Sequence, residues 1–175
     1  AEFYMPATDA ATGRATYFSK YDIVRDDYRA VMASCALPGF CRPVKVGDRY
    51  YYDGGVADSI PLHHAIEQGC TKMVVILSNP RNFVKKPEAH RPLYKHMLHK
   101  YPKTIQSIDN RHINYQASID LASRLEKEGY VFIFAPSRHM PLSTFSKDAA
   151  LEQDLYDLGV ADYEARAEEL KYFLN

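Results

Sequence analysis

The run Tyr50-Tyr51-Tyr52-Asp53-Gly54-Gly55 constrains this chain more than any other stretch. Three tyrosines in a row read as a strand. The strand closes on an acid, and the acid runs straight into two glycines. Glycine backbone bends where other residues cannot, so a carboxylate at that point can be held rigidly at the rim of a sheet. In open α/β folds that rim is where ligands bind. Val56 to Ile60 followed by Pro61 reads as a turn leading to a helix. The plain alternative is a solvated Asp-Gly surface turn, because this is among the commonest turn pairs.

The surrounding pattern supports layers of helix and strand. Glu2 to Met5 reads as a strand, Thr8 to Gly13 as a turn, and Ala15 to Phe18 as a returning strand. Asp26 is a candidate N-cap for a helix over Asp27 to Ser34, which has to stop before Pro38. Pro61 suits the first position of the next helix, and Gly69 suits its end. Met73-Val74-Val75-Ile76-Leu77 is a continuous apolar run, as expected of a parallel strand buried on both faces. This order argues for an α/β fold. After about Pro87 the composition shifts. His90 to Lys100 reads as a short helix, and Pro102 opens a long one running to about Glu128. Along it Ile105, Ile108, His112, Tyr115, Ile119 and Ala122 share one face. Gly129 ends that helix, Tyr130 to Ala135 is a strand, and Gly159 splits two last helices, Asp148 to Leu158 and Ala161 to Leu174.

Composition narrows the classes. Across 175 residues Lys+Arg and Asp+Glu are both 22, so the net charge of zero gives no support to a nucleic-acid partner. No apolar run approaches the roughly 20 residues that span a bilayer. Three cysteines without a Cys-x-x-Cys pair fit a reducing, cytoplasmic-type compartment. No two glycines stand four apart, so there is no Gly-x-Ser-x-Gly elbow to present a hydrolase serine. Gly54-Gly55 is the only adjacent glycine pair, so a glycine-rich phosphate or oxyanion loop is absent too, as are a Walker motif and a dinucleotide fingerprint.

Ala33-Ser34-Cys35-Ala36-Leu37-Pro38-Gly39-Phe40, followed at a short spacing by Asp53-Gly54-Gly55-Val56, resembles the patatin-like phospholipases. Thr8 to Gly13 is similar to the turn that precedes this block in the family. The likeness covers roughly residues 1 to 80. The remainder is similar to the C-terminal extension of a bacterial subgroup, a weaker likeness carried by Arg111-His112 and Tyr115. The resemblance implies an acyl hydrolase with a serine–aspartate dyad and no catalytic histidine, in which Asp53 matches the aspartate and Gly54 and Gly55 flank it. It also implies that the glycine-rich loop and the serine elbow lie ahead of this segment.

The resulting expectation is α/β: the C-terminal half of a three-layer patatin-like core over 1–88, then a mostly helical extension over 89–175. The chain does not begin with Met, and it reads as a piece of something longer. It is expected to supply the dyad aspartate and to be inactive alone. No cofactor is implied. The expected partners are a lipid or acyl-ester substrate, the missing N-terminal half, and a second copy meeting the sheet edge that truncation exposes. The expected location is cytoplasmic, with peripheral contact at a membrane open to it. Two rivals stand beside this reading: a binding or regulatory module with a degenerate patatin fold, and a structural domain whose Asp-Gly-Gly is only a turn.

Other polar residues carry plainer expectations. Ser34 fixes backbone, and Ser59 supports the start of the next helix. Cys35 and Cys41 fill small apolar spaces. His96 and His99, three apart, form an ordinary surface pair rather than a zinc site with His90 or Glu88. His112 lies on the apolar stripe and is expected to be buried with a hydrogen bond. The acidic polar faces of the last helices favour packing on the core over lying on a membrane.

Overall fold

The computed structural model describes residues 1–141 and 147–175. Helices and strands are mixed throughout, so the α/β class holds. The chain forms two compact units that interleave along the sequence: 1–61 with 85–119, and 62–84 with 120–175.

The first unit is built on an antiparallel four-stranded sheet ordered β2-β1-β4-β3. Its strands are β1 (Tyr4–Asp9), β2 (Ala15–Ser19), β3 (Val44–Val46) and β4 (Arg49–Asp53). β1 starts and ends later than its apolar residues alone suggest, because it pairs on both sides: Pro6 opposes Tyr17 in β2, and Ala7 opposes Asp53 in β4. One face of the sheet packs Ala7, Phe18 and Tyr51 on Ala30 and Ala33 of α1 (Arg29–Ser34), with the Phe18 and Tyr51 rings edge to face. The other face packs Ala10, Tyr52 and Val56 on Leu98, Ile105 and Ile108. Leu98 follows α3 (Arg91–Met97), and the two isoleucines lie on α4 (Pro102–Lys127). Alternation along β4 therefore sends Tyr51 and Tyr52 into opposite layers and delivers Asp53 at the strand end.

Asp26 does not cap α1. Its backbone is left-handed, and Asp27 makes the turn instead, its Oδ1 accepting from the Arg29 N–H and its carboxylate pairing with the Arg29 guanidinium. Cys35 and Cys41 are exposed rather than filling the core.

The second unit holds α2 (Leu62–Glu67), the strands β5 (Met73–Ile76) and β6 (Val131–Phe134), and α5 (Ala149–Leu174). β5 and β6 pair in parallel, Met73 opposite Val131. The apolar run of β5 is buried on one face only: Met73, Val75 and Leu77 are buried, while Val74 is 40% and Ile76 is 79% exposed. Phe132 meets Phe173 of α5, and the Arg166 guanidinium stacks over the Phe132 ring, 4.3 Å from its centre. Arg166 and Arg81 both donate to the Ile133 carbonyl, and Arg81 also forms a two-pronged pair with Glu126. α5 is one helix, with Gly159 inside it. A mid-helix glycine costs only about 1 kcal/mol, which a 26-residue helix absorbs. Asp148 caps that helix, accepting from the Ala150 and Leu151 N–H groups.

Candidate active site

Asp53 stands where β4 stops and a single 3-10 turn (Gly54–Val56) starts. Both of its own main-chain groups are held. Its N–H donates to the Ala36 carbonyl at 2.9 Å, tying the strand end to the segment after α1. Its carbonyl accepts from the Thr8 hydroxyl at 2.7 Å, and the same hydroxyl oxygen accepts from the Ala57 N–H at 3.2 Å. Thr8 is fully buried, so these bonds form away from water. The Asp53 side chain is half-buried, and its Oδ1 accepts from the Gly55 N–H at 2.7 Å. The carboxylate is thus aimed by its own turn rather than swinging on an exposed loop.

Proximity requires glycine at position 54 and leaves little room for a side chain at position 55. A Cβ on Gly54 would stand inside the Pro6 carbonyl, whose oxygen also accepts from the Ser34 hydroxyl at 2.7 Å. A Cβ on Gly55 would come within 3.0 Å of Asp53 Oδ1 and 3.3 Å of Arg111 Nη2. Ser34 therefore fixes backbone, as its sequence context suggests. Ser59 donates back to the Gly55 carbonyl at 2.6 Å.

The charged residues beside the turn were not legible as site residues. Arg111 of α4 donates through Nε to the Gly55 carbonyl at 2.6 Å and pairs through Nη1 with Glu88 Oε1 at 3.0 Å. Lys85 reaches the same Glu88 oxygen at 3.6 Å and lies over the Tyr115 ring. Burial, with the positive charge of Arg111 adding to it, pushes the Lys85 ammonium pKa below its ordinary value, against the pull of Glu88. The only sequence signal for this group is the Arg111-His112 pair, which stands 56 positions from Gly55.

At the other end of β4's pairing with β1, Asp9 organises the β1–β2 turn. Its Oδ1 accepts from the Ala11 and Thr12 N–H groups, and its Oδ2 pairs with Arg49. Burial raises the Asp9 pKa, but the Thr12 backbone bond, Arg49 and the remaining donors outweigh it and leave the carboxyl below its ordinary value.

The histidines do not converge. His99 Nδ1 lies 2.9 Å from the His96 carbonyl, so that ring is engaged with its own helix end. Among the described residues no three His, Cys, Asp or Glu side chains gather as metal ligands. His112 is half-buried, and its Nδ1 has no hydrogen-bond partner, contrary to the expectation of a satisfied core histidine. Among the described residues no helix is long and apolar enough to cross a membrane.

The block from Pro6 through the Asp-Gly-Gly turn to α2 is where comparison with known proteins bears. Residues 6–66 match the patatin-like phospholipase family model. The match supports a lipid-hydrolase family at a coarse level for the segment in which Asp53 lies. Residues 101–175 match a second family, described as a domain of unknown function (DUF6363). The chain is also 30% identical over 135 residues to the Uncharacterized protein YjjU of Escherichia coli (strain K12), an alignment covering 74% of this chain. The alignment spans 37% of that relative's length.

Proposed function

We propose that this chain supplies the aspartate of a serine–aspartate dyad that hydrolyses acyl esters of lipids. The observation that carries the reading is the half-buried Asp53 carboxylate, held by the Gly55 N–H at a strand end inside the patatin-like segment. The dyad chemistry needs a carboxylate in one orientation. A serine oxygen attacks the ester carbonyl while its proton passes to Asp53. Asp53 returns that proton to the departing alkoxide, leaving an acyl-serine and an alcohol. Water then attacks the acyl-serine along the same proton route, releasing the carboxylic acid. A carboxylate is a weak base for a hydroxyl, so the rate has to come from placement and from stabilising the oxyanion.

The attacking serine comes from a part of the protein outside this chain. Ser34, Ser59 and Ser107 spend their hydroxyls on the carbonyls of Pro6, Gly55 and Gly13. The reaction requires no cofactor from these residues. We place the enzyme on the cytoplasmic side, meeting lipid at a membrane surface or as dispersed ester.

The test is Asp53→Asn in the whole protein, assayed on 4-nitrophenyl butyrate. Loss of a positioned general base lowers kcat by roughly 10²–10⁴-fold. Unchanged turnover in the variant overturns the dyad, and no turnover by the wild-type whole protein favours the binding-module reading. Turnover by the 175-residue chain alone overturns the outside serine.

A further inference from the structure

Arg111 belongs to neither the Asp-Gly-Gly motif nor the patatin-like match. It lies in the segment matching the domain of unknown function. Yet its guanidinium ends at the turn that aims Asp53. Nε donates to the Gly55 carbonyl at 2.6 Å, and Nη1 is held by Glu88 at 3.0 Å. Two engaged edges of a planar, rigid fork fix its orientation. The Arg111 side chain is only 27% exposed, so water screens these contacts weakly.

The partner atom gives the contact its meaning. Gly55 offers its N–H to Asp53 Oδ1 on one side of its Cα and its C=O to Arg111 and Ser59 on the other. Glycine is the softest residue in the backbone, and nothing in its own structure holds those two peptide planes relative to each other. Pinning the carbonyl limits how far the amide can swing, and the amide aims the carboxylate.

Docking α4 does not depend on this bond. The Thr104 hydroxyl donates to the Ala10 carbonyl at 2.8 Å, and the Ser107 hydroxyl donates to the Gly13 carbonyl at 2.7 Å. Ile105 and Ile108 are buried against Ala10, Tyr52 and Val56. The helix is fixed at its start by these contacts, and Arg111 is available to act on the turn.

We infer that Arg111 is a positioning residue for Asp53, acting through the Gly55 peptide, and that the first part of the segment matching the domain of unknown function serves as a latch on the patatin-like turn. The geometric part stands by itself; its consequence for turnover rests on the dyad reading above.

The test compares Arg111→Met with Arg111→Lys in the whole protein, labelled with ¹⁵N-glycine. In Arg111→Met the Gly55 amide shifts and exchanges with solvent about tenfold faster, the equivalent of one lost hydrogen bond. The Gly13 amide, bonded to the Asp9 carbonyl, stays in place. Turnover of 4-nitrophenyl butyrate falls about tenfold in kcat with KM unchanged, because orientation and not binding is lost. Arg111→Lys retains a donor and a charge and restores most of both signals.

A Gly55 amide that is unmoved in Arg111→Met overturns the inference. Equal loss in the Met and Lys variants, with Gly13 displaced as well, also overturns it and makes Arg111 a general packing residue. Should Arg111→Met fail to fold, Arg111→Lys alone decides: near-normal kcat with a native Gly55 amide supports the latch, and a full loss refutes it. The two readings fail separately. If Asp53→Asn keeps full activity while the Gly55 amide still responds to Arg111, the dyad falls and the latch remains.

Discussion

Around Asp53 the backbone is held by polar side chains, whereas around β6 it is held by aromatic and aliphatic packing with arginines laid across it. Thr8, Ser34, Ser59 and Arg111 each spend a donor on a main-chain oxygen at or beside the Asp-Gly-Gly turn. In the second unit Val131 and Ile133 are buried, Phe132 meets Phe173, and one face of β5 is left with Val74 and Ile76 exposed. Apolar burial fixes which face of an element points inward, but it is non-directional. Hydrogen bonds fix angles. A site that must aim one carboxylate needs the second kind of support, and the polar cross-links are concentrated there.

The largest expected effect falls on the tightest point of the polar region. Gly54→Ala forces the Pro6 carbonyl to move, which breaks the Ser34 bond as well, and overpacking of this kind costs about 3 kcal/mol. Urea unfolding measures it. A loss below about 0.5 kcal/mol means the turn is softer than its contacts indicate, and the contrast with the second unit weakens.

An intermediate effect belongs to Asp9. Its native pKa lies below the ordinary 3.8, so its contribution is fully present above about pH 4 and is lost as pH falls through the depressed native value. Asp9→Ala strands the Ala11 and Thr12 N–H groups and costs about 2 kcal/mol at neutral pH. The gap between wild type and variant narrows in acid, as unfolding curves at pH 7 and below pH 3.5 test. Glu126, held low chiefly by Arg81, behaves in the same sense in the second unit. A gap that widens in acid contradicts the assignment.

The smallest effect sharpens the other side of the comparison. Ile76 is 79% exposed, so Ile76→Ser changes stability by no more than about 0.5 kcal/mol if that face is bare in the intact protein. A cost of about 2 kcal/mol in the whole protein identifies a covering element there.

The sequence carried some of this and concealed the rest for physical reasons. The Pro102–Lys127 helix was legible because its apolar stripe repeats over many turns, and the β5 and β6 strands because each is a dense apolar run. β3 has no legible signal: three residues are too few for alternation to register, and its pairing with β4 is a tertiary fact. Gly159 reads as a breaker yet lies inside one helix, because helix propensity is local and packing is not. Within the site, Asp53, Gly54 and Gly55 are contiguous, so a motif exposes them. Arg111 meets Gly55 only because Ile105 and Ile108 of α4 pack on Tyr52 and Val56, and no local pattern encodes that meeting.

The boundaries of the two family matches have a practical consequence for cutting this polypeptide. A fragment ending at residue 66, the limit of the first match, discards Leu98, Ile105 and Ile108. Tyr52 and Val56 would then face solvent from beneath the very turn the fragment was meant to preserve. An expression boundary chosen by family limits would yield a sticky, misassembled product, whereas one retaining residues through 119 keeps the layer under the acid.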